Sequence, residues 1–225
     1  MTREEVRTRI TEIGIIPAVR LHSAADALFA AEAVCSAGIP IVEVTTTVPG
    51  AVDVIRELAR QSPEIIVGAG TLIYADSARR CLDAGAKFLT TTGFDLDIVN
   101  LALGRDTVVF PGALTPSEIM TAWKTGCDFV KIFPCAQVGG PGYIRALKGP
   151  FPQIPLIASG GVNQQTAADY IRAGAVALGI GADLIHQDAI KHRNGSWIRE
   201  LARRYVSMVN EARSQEKAHE KESKS

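Results

Sequence analysis

Eight short apolar runs, rich in valine and isoleucine, recur along the chain at nearly constant intervals, and this recurrence narrows the possible folds most. The runs cover residues 15–20, 40–45, 64–68, 87–91, 107–110, 128–133, 154–159 and 176–179, and their starts are spaced by 25, 24, 23, 20, 21, 26 and 22 residues. The stretches between them carry helical periodicity. Ala51, Ile55 and Leu58 share one face at i, i+4, i+7, as do Ala167 and Ile171 at i, i+4. Strands alternating with helices at this spacing pair in parallel through right-handed crossovers.

Turn chemistry repeats with the same rhythm. Ala37-Gly38, Ala84-Gly85, Thr125-Gly126 and Ala173-Gly174 each stand just before a run, where a helix ends on a left-handed residue. Thr115-Pro116-Ser117-Glu118 has the spacing of a capping box with proline at the first helical position. Residues 2–13 read as one additional helix. Residues 214–225 hold no apolar residue except Ala218 and read as a disordered polar tail. The expectation is an α/β protein, a single (β/α)8 TIM barrel over residues 1–213 with an extra N-terminal helix. An open doubly wound sheet is the alternative; no GxGxxG follows the first run to favour it.

Composition excludes several classes of function. Lys plus Arg minus Asp plus Glu is 24 − 24 = 0, which argues against a nucleic-acid partner. No apolar run approaches the roughly 18–20 residues of a membrane span. The start, Met1-Thr-Arg-Glu-Glu-Val, lacks the apolar core of a signal peptide, so a cytoplasmic location is expected. Cys35, Cys81, Cys127 and Cys135 form no CxxC pair and read as reduced thiols. His22, His186, His192 and His219 show no HxH or HExxH spacing, so neither a metal nor a cofactor is expected.

In a barrel the chemistry sits at the C-terminal ends of the strands. Lys131 lies there between apolar neighbours. Desolvation disfavours its charged form, and a neutral amine is what carbonyl attack requires. The plainer reading is a strand-end lysine with its ammonium in water. Glu43, in Ile41-Val-Glu-Val-Thr45, is costly to bury unless paired or functional. Its alternatives are a proton shuttle or a mere charge partner of Lys131, and a gap between opposite strands favours the shuttle. Thr71 follows Val67-Gly-Ala-Gly70, whose glycines let backbone approach a ligand. Arg20 ends the first run as a cation suited to a carboxylate or phosphate. Ser159-Gly-Gly-Val162 and Gly179-Ile-Gly-Ala182, the second at a short-helix start, match the phosphate site of barrels.

With these residues in place, the chain resembles the class I aldolases of 2-keto-3-deoxy-6-phosphogluconate (KDPG) and 4-hydroxy-2-oxoglutarate (KHG). The similarity covers residues 15–212. It rests on Ile41-Val-Glu-Val-Thr45, Gly68-Ala-Gly-Thr71, Pro111-Gly112, Val130-Lys-Ile-Phe-Pro134, Lys148-Gly-Pro150 and Ser159-Gly-Gly-Val162, in that order. The resemblance implies a homotrimer acting on a keto-deoxy sugar acid and pyruvate. It implies that Lys131 forms the Schiff base, that Glu43 moves protons through a water, and that Thr71 holds the pyruvoyl carboxylate. Phe133 and Pro134, completing the lysine motif, fall with the substrate. Gly160, Gly161 and Gly181 would hold the phosphate of the aldehyde half through main-chain amides.

Three positions depart from the pattern. Thr47 stands where many members carry an arginine for the substrate carboxylate, a charge Arg20 could supply. Thr92 replaces a proline after the fourth strand, and Ala182 replaces a serine that meets the phosphate. The expected activity is cleavage of KDPG or a close relative to pyruvate and glyceraldehyde 3-phosphate. Three alternatives remain: an aldolase for KHG or another small keto acid, a phosphosugar isomerase or epimerase barrel, and a non-catalytic ligand-binding trimer.

Overall fold

The computed structural model describes residues 1–222. Among these described residues are nine strands and ten α-helices. The strands are β1 Ile15–Val19, β2 Ile41–Thr45, β3 Ile66–Leu72, β4 Phe88–Thr91, β5 Val108–Phe110, β6 Gly112–Ala113, β7 Val130–Ile132, β8 Leu156–Ser159 and β9 Ala175–Ile180. The helices are α1 Arg3–Ile13, α2 Ala24–Cys35, α3 Ala51–Gln61, α4 Ala75–Asp83, α5 Leu96–Gly104, α6 Pro116–Lys124, α7 Pro141–Lys148, α8 Ala167–Arg172, α9 Gln187–Lys191 and α10 Gly195–Glu222.

All strand pairs are parallel, in the order β5-β4-β3-β2-β1-β9-β8-β7-β6. The two ends of this order are consecutive in the chain, separated by Pro111 alone. β5 pairs with β4, as Phe110 beside Thr90, and β6 pairs with β7, as Gly112 beside Lys131. The sheet therefore closes on itself as a barrel of eight staves, the fifth interrupted where proline removes an N–H. An open doubly wound sheet would leave two free edges. The fifth stave outruns its sequence expectation because Pro111-Gly112 reads as a turn, whereas here the Pro111 carbonyl still accepts from the Lys131 amide at 3.0 Å.

The capping box on α6 forms, and Gly38, Gly85, Gly126 and Gly174 all take positive φ. Thr2 and Glu5 make a second capping box on α1. Val6 and Ile10 of α1 pack with Ile16, Ile41, Phe88 and Phe110 in the barrel interior. Alternate residues such as Val42 and Val44 face the helix layer instead. Burying α1 against the interior closes one end of the barrel.

The Arg3 side chain fixes that closure. Its Nε donates to Asp128 Oδ1 at 3.0 Å, and Asp128 Oδ2 also accepts from the Val109 amide at 2.9 Å. The Asp128 side chain is 5 % exposed. Arg3→Met is expected to cost about 1–3 kcal/mol in urea unfolding, because a buried carboxylate loses its charge partner. An unchanged midpoint would show the pair to be incidental.

The expected disordered tail is corrected: α10 continues to Glu222. Lacking an apolar face removes packing but not helix propensity, and Gln, Glu, Lys and Ala are all good helix formers. Extending a packed helix also avoids the cost of nucleation. Arg172 Nη2 donates to Gln215 Oε1 at 2.8 Å, tying the extension to α8. Residues 223–225 of that expectation lie outside the described residues. Among the described residues no helix is long and apolar enough to cross a membrane.

Candidate active site

Side-chain alternation on β2 and β7 turns Glu43 and Lys131 into the barrel, near the mouth opposite α1. Lys131 Nζ lies 3.6 Å from Glu43 Oε2, and the two side chains are 8 % and 3 % exposed. The expected gap between opposite strands is therefore spanned directly. The apolar neighbours Val130 and Ile132 face the helix layer and do not surround the amine. Phe133 does, with its ring centroid 5.7 Å from Nζ.

The glycines of β3 serve side chains rather than a ligand's approach. A Cβ on Gly70 would stand 1.9 Å from Glu43 Oε1, and one on Gly68 would stand 2.2 Å from the Phe88 ring. Register explains this, since Glu43 pairs with Gly68 and Thr45 with Gly70. Gly70→Ala must displace the carboxylate. A loss of about 10²-fold in kcat is expected, the scale of a misplacement near 1 Å; a variant with normal turnover would show that the carboxylate position is not critical.

Thr71 adopts φ 59°, an outlier for a β-branched residue, beside a register shift between Ala69 and Leu72. Its hydroxyl accepts from Arg20 Nη2 at 3.0 Å, and its carbonyl accepts from Thr46 Oγ1 at 2.9 Å. The bulge thus joins Thr71 to Arg20 across the end of β2.

One cavity of about 340 Å³ gathers Arg20, Glu43, Lys131, Phe133, Gly160, Gly161, Gly181 and Ala182 on its wall. Thr71 adjoins it through Arg20. Thr47, Thr92 and Pro134 also stand off this wall. The exposed Thr47 hydroxyl pairs with Thr45 Oγ1 at 2.8 Å. The Thr92 carbonyl sits where a Cβ on Gly112 would approach to 2.1 Å. Pro134 backs onto Gly160 instead, its Cα 2.9 Å from where a Cβ there would lie.

Ser159, which opens the first glycine motif, also lines the cavity, as do Asp183 and Gln187, which the sequence reading leaves out. A hydroxyl closing an apolar strand, and a carboxylate directly after Gly181-Ala182, were the available signals.

The two glycine loops are built differently. After β8, Gly160 and Gly161 take φ 86° and 82°, and a Cβ on Gly161 would meet Ala136 Cβ at 2.4 Å. Ser159 and Gly160 carbonyls accept from the Cys135 and Ala136 amides at 2.8 and 3.0 Å. After β9 the expected short helix is a single turn: the Gly181 carbonyl accepts from Leu184 and Ile185 amides, and α9 starts only at Gln187. Cys135, beneath these loops, is no nucleophile at neutral pH, because burial pushes its thiol up to about 11. Among the described residues no three His, Cys, Asp or Glu side chains gather to hold a metal.

A model of the family described as KDPG and KHG aldolase matches residues 6–201. The KHG/KDPG aldolase of Escherichia coli K12 is 31% identical over 192 residues, covering 85% of this chain and 90% of that protein. A solved KDPG aldolase of Legionella pneumophila, with pyruvate captured at low pH as a covalent carbinolamine intermediate, is 29% identical. It superposes with a TM-score of 0.82 over 88% of this chain and 96% of that one. A cube-shaped cage designed by fusing symmetric oligomeric domains superposes at 0.85, with 27% identity, over 95% of this chain and 78% of that one. Closed barrel, paired lysine and glutamate, and a match across most of the sequence agree: the chain belongs to the KDPG and KHG aldolase family.

Proposed function

We propose that this chain is a class I aldolase, a carbon–carbon lyase that cleaves KDPG or a close relative to pyruvate and glyceraldehyde 3-phosphate. The observation that carries this reading is the Lys131–Glu43 pair at 3.6 Å inside a barrel-mouth cavity large enough for a six-carbon sugar acid. Glu43 takes a proton from the ammonium, and the freed Lys131 amine attacks the C2 carbonyl. Glu43 returns that proton to the carbinolamine hydroxyl, which leaves as water to give a cationic imine and restores the carboxylate. That cation draws the electrons of the C3–C4 bond as the C4 hydroxyl gives its proton, through a water, to Glu43. The aldehyde departs, Glu43 passes its proton through the water to C3 of the enamine, and hydrolysis of the imine releases pyruvate and the free amine.

Arg20 and Thr71 suit the pyruvoyl carboxylate, a fixed cation with a hydroxyl beside it. In this reading the main-chain amides of Gly160, Gly161 and Gly181, all on the cavity wall, hold the distal end of the substrate. No cofactor enters this chemistry. A homotrimer fits the same reading, supported by the likeness to domains that assemble symmetrically in the designed cage. The four free thiols fit a cytoplasmic enzyme.

Pyruvate release from KDPG, followed by coupled reduction with lactate dehydrogenase, tests the activity. Pyruvate and aldehyde are expected in equal amounts. Isomerisation or epimerisation of the sugar acid without pyruvate would overturn the lyase reading.

A further inference from the structure

Resting on the aldolase reading, we propose that Asp183 sets the distal end of the cavity for an uncharged, hydroxyl-bearing tail, so that sugar acids lacking the terminal phosphate are substrates in their own right. Asp183 lines the same wall as Gly160, Gly161, Gly181 and Ala182, and Gln187 lines it too. A phosphate held by those glycines shares the space with a carboxylate. Among the described residues the only basic side chains on the wall are Lys131 and Arg20. Lys131 is paired with Glu43, and Arg20, which donates to Thr71, serves the pyruvoyl carboxylate in the reading above, so no basic side chain on the wall is left for the Asp183 end.

The surrounding groups have the same bias. Ala182 offers a methyl group and no hydroxyl donor. The Leu184 and Ile185 amides are already taken by the Gly181 carbonyl, which reduces the donors the turn can present to an anion. A carboxylate beside a primary amide suits vicinal hydroxyls: the carboxylate accepts from a hydroxyl, and the amide both donates and accepts. A dianionic phosphate can use only the donors and is repelled by the carboxylate.

The experiment compares kcat/KM for 2-keto-3-deoxygluconate and its 6-phosphate in the wild type, Asp183→Asn and Asp183→Lys. Asp183 is exposed in a turn, so two substitutions guard against local misfolding of one. Wild-type values within about tenfold of each other are expected. The ratio of phosphorylated to unphosphorylated substrate should rise about tenfold in Asp183→Asn, the scale of one like-charge contact at a solvated mouth, and further in Asp183→Lys. Inorganic phosphate should compete in the same rank order. A wild-type preference for the phosphate above about 10²-fold, or a ratio unmoved by both substitutions, would overturn the proposal while leaving the aldolase intact. Failure of both substrates to yield pyruvate would instead overturn the aldolase reading beneath it.

Discussion

Lys131→Met should lower kcat/KM by about 10⁴-fold or more while the protein still folds. Methionine matches the length of the lysine stem but has no amine, so no imine forms and the C3–C4 bond loses its electron sink. The structural cost is separate. Glu43 would lose the partner it holds at 3.6 Å, and breaking a fully buried pair costs roughly 3–5 kcal/mol. Here the pair faces a cavity that admits water, so a smaller loss of about 1–2 kcal/mol is expected. Thermal melting and turnover measured on one preparation separate the two effects. Residual activity within tenfold of wild type would mean that the amine is not the nucleophile.

Glu43→Gln is expected to lower kcat by about 10²- to 10⁴-fold, the usual contribution of a positioned acid–base group. Glutamine keeps the shape of glutamate and accepts hydrogen bonds, so the space left by Gly70 stays filled. It cannot carry a proton between Nζ, water and the C4 hydroxyl. Imine formation with pyruvate should slow without being abolished, since water can still exchange protons. Wild-type turnover in this variant would reduce Glu43 to a charge partner for Lys131.

The eight staves could be read from the chain because their spacing leaves room for one helix each, and parallel pairing needs that crossover. Closure across Pro111 could not, since it depends on which residues pair at the far side of the ring. The helical tail has no local signature for a related reason: it grows from α10 and is tied by Arg172 to Gln215, a contact spanning 43 residues.

Lys131 and Glu43 stood out because a charge inside an apolar strand is costly without a purpose. The role of Gly70 rests on the cross-strand register of Glu43, and the left-handed Thr71 rests on a bulge, neither of which has a local sequence signature. Thr47 and Thr92 rest on the resemblance alone, and neither is on the cavity wall. Asp183 was overlooked because the glycines before it read as an anion site, and its charge shows its meaning only once it lines the same cavity.

Borohydride reduction in the presence of pyruvate, followed by peptide mass spectrometry, tests the central claim most directly. The account predicts one reduced pyruvate adduct per chain, on Lys131 within Val130-Lys-Ile-Phe-Pro134, and none in Lys131→Met. An adduct on another lysine, or no adduct while pyruvate is still released from the sugar acid, would contradict it.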